Sequence, residues 1–263
     1  MMEQKKMIIR IGKNALSFTT FDISNKECPL VHKPYVMKGS ISMAANLREA
    51  FKTNPPQDER LQVLVDTPSM LVPIEQFEEE NIEVLFNHVF PTSPTKRVVL
   101  FNVLPELKSV CLFAIDKDLH GVITDRFSEI QFIQAMTPVW HHLHQRSFTG
   151  HRSKLYGYFH GRHLDLFSFQ QNRFKFCNSF EVNHAHDALY FLLYVWKQLH
   201  MEPEHDEMHI VGEIPESEWL LQELKRFLKK AYVINPAADF QNAPATKMTG
   251  MPYDLMTLLV KGR

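Results

Sequence analysis

A pattern of strand, tight turn, strand, strand and helix runs twice along this chain, and no other feature constrains its fold as much. The first copy opens with Met7–Ile11 (MIIRI), turns through Gly12-Lys13-Asn14, returns over Ala15–Phe21 and adds a strand near His32–Met37. The second opens with Leu155–Phe159, turns through His160-Gly161-Arg162, returns over His163–Phe169 and adds Arg173–Phe180. A helical segment follows each triplet. Repetition on this scale means one plan used twice, so two lobes with a cleft between them are expected.

The bulk numbers narrow the class. At 263 residues and 44% hydrophobic, the chain can bury a full core. A formal charge of −1 with dispersed Lys and Arg gives no footprint for nucleic acid. Cys28, Cys111 and Cys177 are far apart and odd in number, which fits a reducing cytoplasm better than a disulfide framework. The stretch behind Lys5 and Lys6 is broken by Arg10 and Lys13, so no secretory leader is read there. The longest apolar run, Leu189–Trp196, is too short for a membrane span. A cytoplasmic protein without membrane insertion is expected.

Periodicity fills in the first lobe. Ile41, Ala44, Leu47 and Phe51 share a face, so a helix is expected over Ile41–Phe51 with Ser40 as its cap and Pro55-Pro56 beyond its end. Leu61–Val65 reads as a buried strand that ends at Asp66 and Thr67-Pro68, where Asp66 is expected to cap the turn. A helix over Glu79–Phe90 has acidic residues in its first turn, where its dipole favours them. Strands at Val98–Asn102 and Ser109–Ile115, a helix at Asp118–Phe127, a strand at Glu129–Ala135 and a helix at Thr137–Gln145 follow. Phe148–Ser153 reads as the linker, giving lobe one as 1–148 and lobe two as 149–263.

In lobe two, Asn183 is expected to cap a largely apolar helix over His184–His200. Met208–Val211 is a strand with Gly212 at its exit, Glu216–Lys230 a helix, Tyr232–Ile234 a strand and Pro252–Val260 a closing helix.

The order β-β-β-α-β-α-β, given twice, resembles the duplicated ribonuclease-H-like unit of the actin-like ATPase fold. Ile9-Arg10-Ile11-Gly12 stands where that family has hydrophobic-Asp-hydrophobic-Gly. Ile210-Val211-Gly212 and Val233-Ile234-Asn235-Pro236 resemble its closing strand, turn and Asn-Pro. The nearer likeness is to the actin-like assembly proteins of type IV pilus and type II secretion systems, and to a bacterial family of unknown function assigned to this fold. The resemblance implies an α/β chain of two lobes, each with a mixed five-stranded sheet, and a small α/β insert of lobe one at about 71–127.

That family binds ATP and magnesium, and its magnesium water shell is held by an acid at the first turn. Here the position is Arg10, and Phe159-His160-Gly161 replaces the second Asp-x-Gly. Arg10, Gly12, Lys13, Gly161 and Gly212 are the candidate phosphate or nucleotide contacts. Against that, hairpin glycines supply positive φ without any ligand, Lys13 suits a solvated surface, and Arg10 between apolar neighbours suits pairing with a carboxylate. Glu213 would point its charge at an anionic ligand, and the loop from His200 to Met208 has no room for an adenosine-enclosing subdomain.

The remaining chemistry is sparse. His141, His142, His144, His160, His163, His184 and His186 lack the converging spacing of a zinc site, and no nucleophile motif or P-loop is present. No catalytic residue or metal ligand is assigned. Twenty phenylalanines suggest that some reach the surface and anchor a partner. By resemblance to the pilus protein, a partner's peptide would dock in a groove of lobe one, with Phe77, Phe86, Phe90 and Phe101 as candidates. The expectation is a scaffold on a degenerate ATPase fold that needs no cofactor and binds an unidentified protein, a homodimer being open. The alternative is an ATPase with non-standard phosphate and magnesium ligands.

Overall fold

The computed structural model describes residues 5–22, 30–53, 60–91, 93, 95–148, 152–171 and 173–261. Pro55-Pro56 lie outside them. The chain divides into two compact units, Met1–Thr137 and Pro138–Arg263.

In the first unit, β1 (Lys5–Ile11), β2 (Leu16–Asp22) and β3 (Val31–Tyr35) form an antiparallel meander. β4 (Arg60–Val65) runs parallel to β1, and β8 (Glu129–Gln134) parallel to β4. The order β3-β2-β1-β4-β8 makes a mixed five-stranded sheet. β1 is covered on both faces, which its continuous apolar run demands. Ile9 and Ile11 pack with Leu47 and Phe51 of α1 (Met43–Thr53) and Leu119 and Ile123 of α3 (Lys117–Thr124), while Ile8 and Arg10 lie on the other face. The cap of α1 is Ser42, whose Oγ accepts from the Ala45 amide, rather than Ser40.

An insert follows β4. β5 (Ser69–Pro73), β6 (Arg97–Leu104) and β7 (Ser109–Asp116) form an antiparallel sheet in the order β5-β7-β6, covered by α2 (Ile82–Val89). β7 serves two cores: Val110, Leu112 and Ala114 face the insert, and Phe113 and Ile115 face the main core. The insert therefore ends near Asp116, earlier than the expected residue 127. Asp116 caps α3 by accepting from the amides of Asp118 and Leu119, and α3 belongs to the main core.

The insert is stitched to the main sheet by Asn102. Its Nδ2 donates to the Phe132 carbonyl at 2.9 Å and its Oδ1 accepts from the Gln134 amide at 2.8 Å. One side chain thus serves as a backbone partner for the edge strand β8. Thr67 Oγ1 donates to the Ala114 carbonyl and adds a second tie.

The second unit repeats the plan. β9 (Lys154–His160), β10 (His163–Gln170), β11 (Arg173–Glu181), β12 (Glu207–Gly212) and β13 (Ala231–Val233) pair in the order β11-β10-β9-β12-β13. α5 (Ala185–Gln198) and α6 (Ser217–Phe227) cover one face. α5 is capped at His184, with Asp187 accepting from the amides of Asn183 and His184.

α4 (Met136–Ser147), α7 (Pro236–Asp239) and α8 (Tyr253–Lys261) complete the unit. Trp140 packs edge-on to Phe174, and His142 and Arg146 both reach Asp239. These contacts tie α4 to the second unit, and the boundary falls in its first turn, after Thr137, rather than at the expected Phe148–Ser153, of which 149–151 lie outside the described residues. α7 has no counterpart in the sequence reading; Asn235 caps it through the Ala237 amide, with Pro236 in its first turn.

Candidate functional site

The two hairpin turns are where the resemblance places phosphate. In the first, Gly12 N donates to the Ala15 carbonyl at 2.8 Å, and Lys13 and Asn14 are exposed. Arg10 is buried, and its Nη2 donates to Asp66 Oδ2 at 2.9 Å. Asp66 follows β4 directly, its amide bonded to the Ile11 carbonyl, so the register of β1 with β4 brings the two charges together. Gly12 does not have the positive φ expected of it; among the described glycines that conformation belongs to Gly161, Gly212 and Gly250. Space is its constraint, since a Cβ there would lie 3.3 Å from Arg10 Nη1 and 3.5 Å from Asp66 Oδ2.

In the second turn, Gly161 and Arg162 are the loop residues between His160 and His163. Counting back from the two loops, Gly12 answers to His160, Ile11 to Phe159 and Arg10 to Tyr158. The glycines at 12 and 161 are therefore not equivalent, and Tyr158, not Phe159, holds the position of the missing acid. The Tyr158 hydroxyl donates to Asp254 Oδ2 at 3.0 Å, both groups being buried. His160 pairs with Asp165.

The same count matches Asp66 with Glu213. Glu213 N donates to the Phe159 carbonyl at 2.9 Å, as Asp66 N does to Ile11, and Glu213 Oε2 accepts from Gly161 N at 3.3 Å. In each unit, the carboxylate after the parallel strand beside the hairpin turns onto its own turn. Gly212 makes this path feasible in unit two: its φ is +101°, and a Cβ would sit 2.0 Å from the Phe159 carbonyl oxygen. It is fixed by backbone approach in the sheet, which requires no bound base.

The turn residues do not fit magnesium held as in the resembled ATPases. A cation at Arg10 and a phenol at Tyr158 offer no carboxylate to a metal's water shell. Asp66 and Glu213 are instead engaged with Arg10 and Gly161. Among the described residues, no group of three His, Cys, Asp or Glu side chains is placed to hold a metal ion. His142 lies 2.7 Å from Asp239, His144 turns to the Gln171 carbonyl, and His186 packs at a tilt against Trp219.

The phenylalanines proposed for a partner groove have another use. Phe86 is fully buried, with Phe90 at 4.8 Å, and Phe77 packs on Phe101 at 5.0 Å. Phe86 belongs to the insert's own core, and Phe77, Phe90 and Phe101 are half-buried against it. Arg97 lies over the Phe86 ring and donates to Asn87 Oδ1 and the Phe90 carbonyl, closing that core with polar groups. The exposed apolar side chains of the insert are Ile74, Val84, Val89 and Val103. The sequence singled out Asp66 and Glu213 separately but not as a register-matched pair, and it missed Tyr158; counting from the loop residues rather than from the glycines would have found both.

The pattern of a family described as protein of unknown function (DUF3822) matches residues 1–231. A Bacteroides thetaiotaomicron protein with actin-like ATPase fold and unknown function superposes with a TM-score of 0.80 at 29% identity, covering 91% of this chain and 95% of its own. The PilM-PilN type IV pilus biogenesis complex gives a TM-score of 0.59 at 12% identity, covering 98% of each chain. No curated protein matches the sequence. The fold is that of the actin-like ATPases.

Proposed function

The chain belongs to the DUF3822 family of unknown function, and from that premise we propose a non-enzymatic protein-interaction role on a degenerate actin-like fold, with no resident nucleotide or magnesium. The carrying observation is the duplicated carboxylate. Asp66 neutralises Arg10, and Glu213 takes the Gly161 amide, so two of the groups an incoming phosphate would use are already engaged by carboxylates of the chain itself. A phosphate at either turn would have to displace an anion held at high effective concentration. That PilM is a member of a complex supports a partner-binding use of this architecture. A reducing cytoplasm suits the buried Cys111 thiol, and no helix among the described residues is long and apolar enough to cross a membrane.

The test is thermal denaturation with and without ATP and magnesium. A ligand at a hundred times its dissociation constant stabilises the native state by about 2.7 kcal/mol, a readily measured shift. No shift is expected. A saturable shift would overturn this reading in favour of nucleotide binding through non-standard ligands, and phosphate release would then test for an ATPase. Asp66→Ala and Glu213→Ala would then show which turn holds the phosphate.

A further inference from the structure

The outer face of α5 carries two exposed tyrosines of the second unit. Tyr190 and Tyr194 are 61% and 46% exposed, and their rings stack at 5.8 Å and 15°. One turn to either side stand Asp187 in the first turn and Lys197 in the last. Asp187, Tyr190, Tyr194 and Lys197 are spaced three, four and three residues apart. Residues so spaced lie on one face of the helix.

That face is complementary to itself in one orientation. Laid antiparallel about a two-fold axis between Tyr190 and Tyr194, Tyr190 meets Tyr194 of a second copy and Asp187 meets Lys197, each contact occurring twice. A parallel arrangement would put like charge on like charge at both ends. Antiparallel packing also sets each helix N-terminus against a C-terminus, a favourable dipole arrangement.

We propose that α5 is a self-association surface, on which two copies of this chain pair antiparallel through Tyr190 and Tyr194 with Asp187–Lys197 contacts at both ends. The seam spans about 15 Å of helix at 1.5 Å per residue, short of a standard interface, so the dimer is weak and concentration-dependent. The proposal names one partner for the interaction role, and its failure would leave the nucleotide test untouched.

Sedimentation velocity of the full chain over a concentration series tests it. The expected result is a reversible monomer–dimer equilibrium that weakens with salt. Lys197→Glu places like charges together twice and should weaken association about tenfold or more; Tyr190→Glu should give monomer. Both sites are exposed, and an unchanged melting temperature would separate lost pairing from lost folding. For register, a mixture of Tyr190→Cys and Tyr194→Cys proteins should form disulfide-linked heterodimers in greater yield than either protein alone. A monomer at the highest soluble concentration would overturn the proposal, as would a dimer indifferent to Lys197→Glu and Tyr190→Glu.

Discussion

Removing the charge pair that closes the first turn should cost unit one more than any surface ion pair would. Arg10 and Asp66 are 2.9 Å apart, with side chains 8% and 22% exposed. Exposed pairs are worth roughly 0.2–1 kcal/mol, whereas truncating one partner of a fully buried pair costs about 3–5 kcal/mol. The opening toward solvent at Asp66 places this pair between those limits, so a coupling energy of about 2 kcal/mol is expected. The measurement is a double-mutant cycle of Arg10→Ala, Asp66→Ala and both together. Because the chain has two units, the readout should be amide hydrogen exchange of β1 and β4 rather than global melting. Each single variant should loosen the Ile11 and Asp66 amides, and the double variant should lose less than the sum. A coupling below about 0.5 kcal/mol would refute the claim that Asp66 is the working counter-charge of Arg10.

Two further outcomes rest on unit two. Gly212→Ala must place a Cβ 2.0 Å from the Phe159 carbonyl oxygen at a φ of +101°; backbone strain of about 1–3 kcal/mol plus displacement of β12 should lower its melting temperature by several degrees. Burial favours the neutral form of Asp239, but His142, Arg146 and the Tyr253 hydroxyl together hold its carboxyl below the usual range. A depressed folded value means that the stabilisation is present above the unfolded value near 4 and is lost as pH falls through the folded one. Acid titration followed by near-ultraviolet dichroism should show this loss, and Asp239→Asn should remove that part of the acid dependence.

The architecture was legible in the sequence because it is written in periodicity. Met7–Ile11 and Leu155–Phe159 each precede a turn and a returning strand, and their apolar runs fit central strands covered on both faces. The site was less legible. Glycines near both turns invited an alignment one residue out, and only strand pairing gives Tyr158 the position in its own hairpin that Arg10 has in the first. Arg10 among isoleucines signalled a carboxylate partner, yet Asp66 lies 56 positions away and looked like a turn cap. The stripe through Phe86 and Phe90 marked a helix correctly, but whether it faced a core or a groove depended on β6 and β7. The insert's end was obscured because every residue from Ser109 to Ile115 is buried, so no change in pattern marks where one core hands over to the other.

Asn102 bears on how the insert could have been acquired or could be removed. Cutting the chain from Ser69 to Asp116 would strip β8 of the amide that answers Phe132 and Gln134, and would take Phe113 and Ile115 out of the main core. The excised parent would have a raw sheet margin and a hole beneath α1 and α3. The insert is thus a keystone for its host, and any shortened version of this protein would need a new plug and a new border in its place.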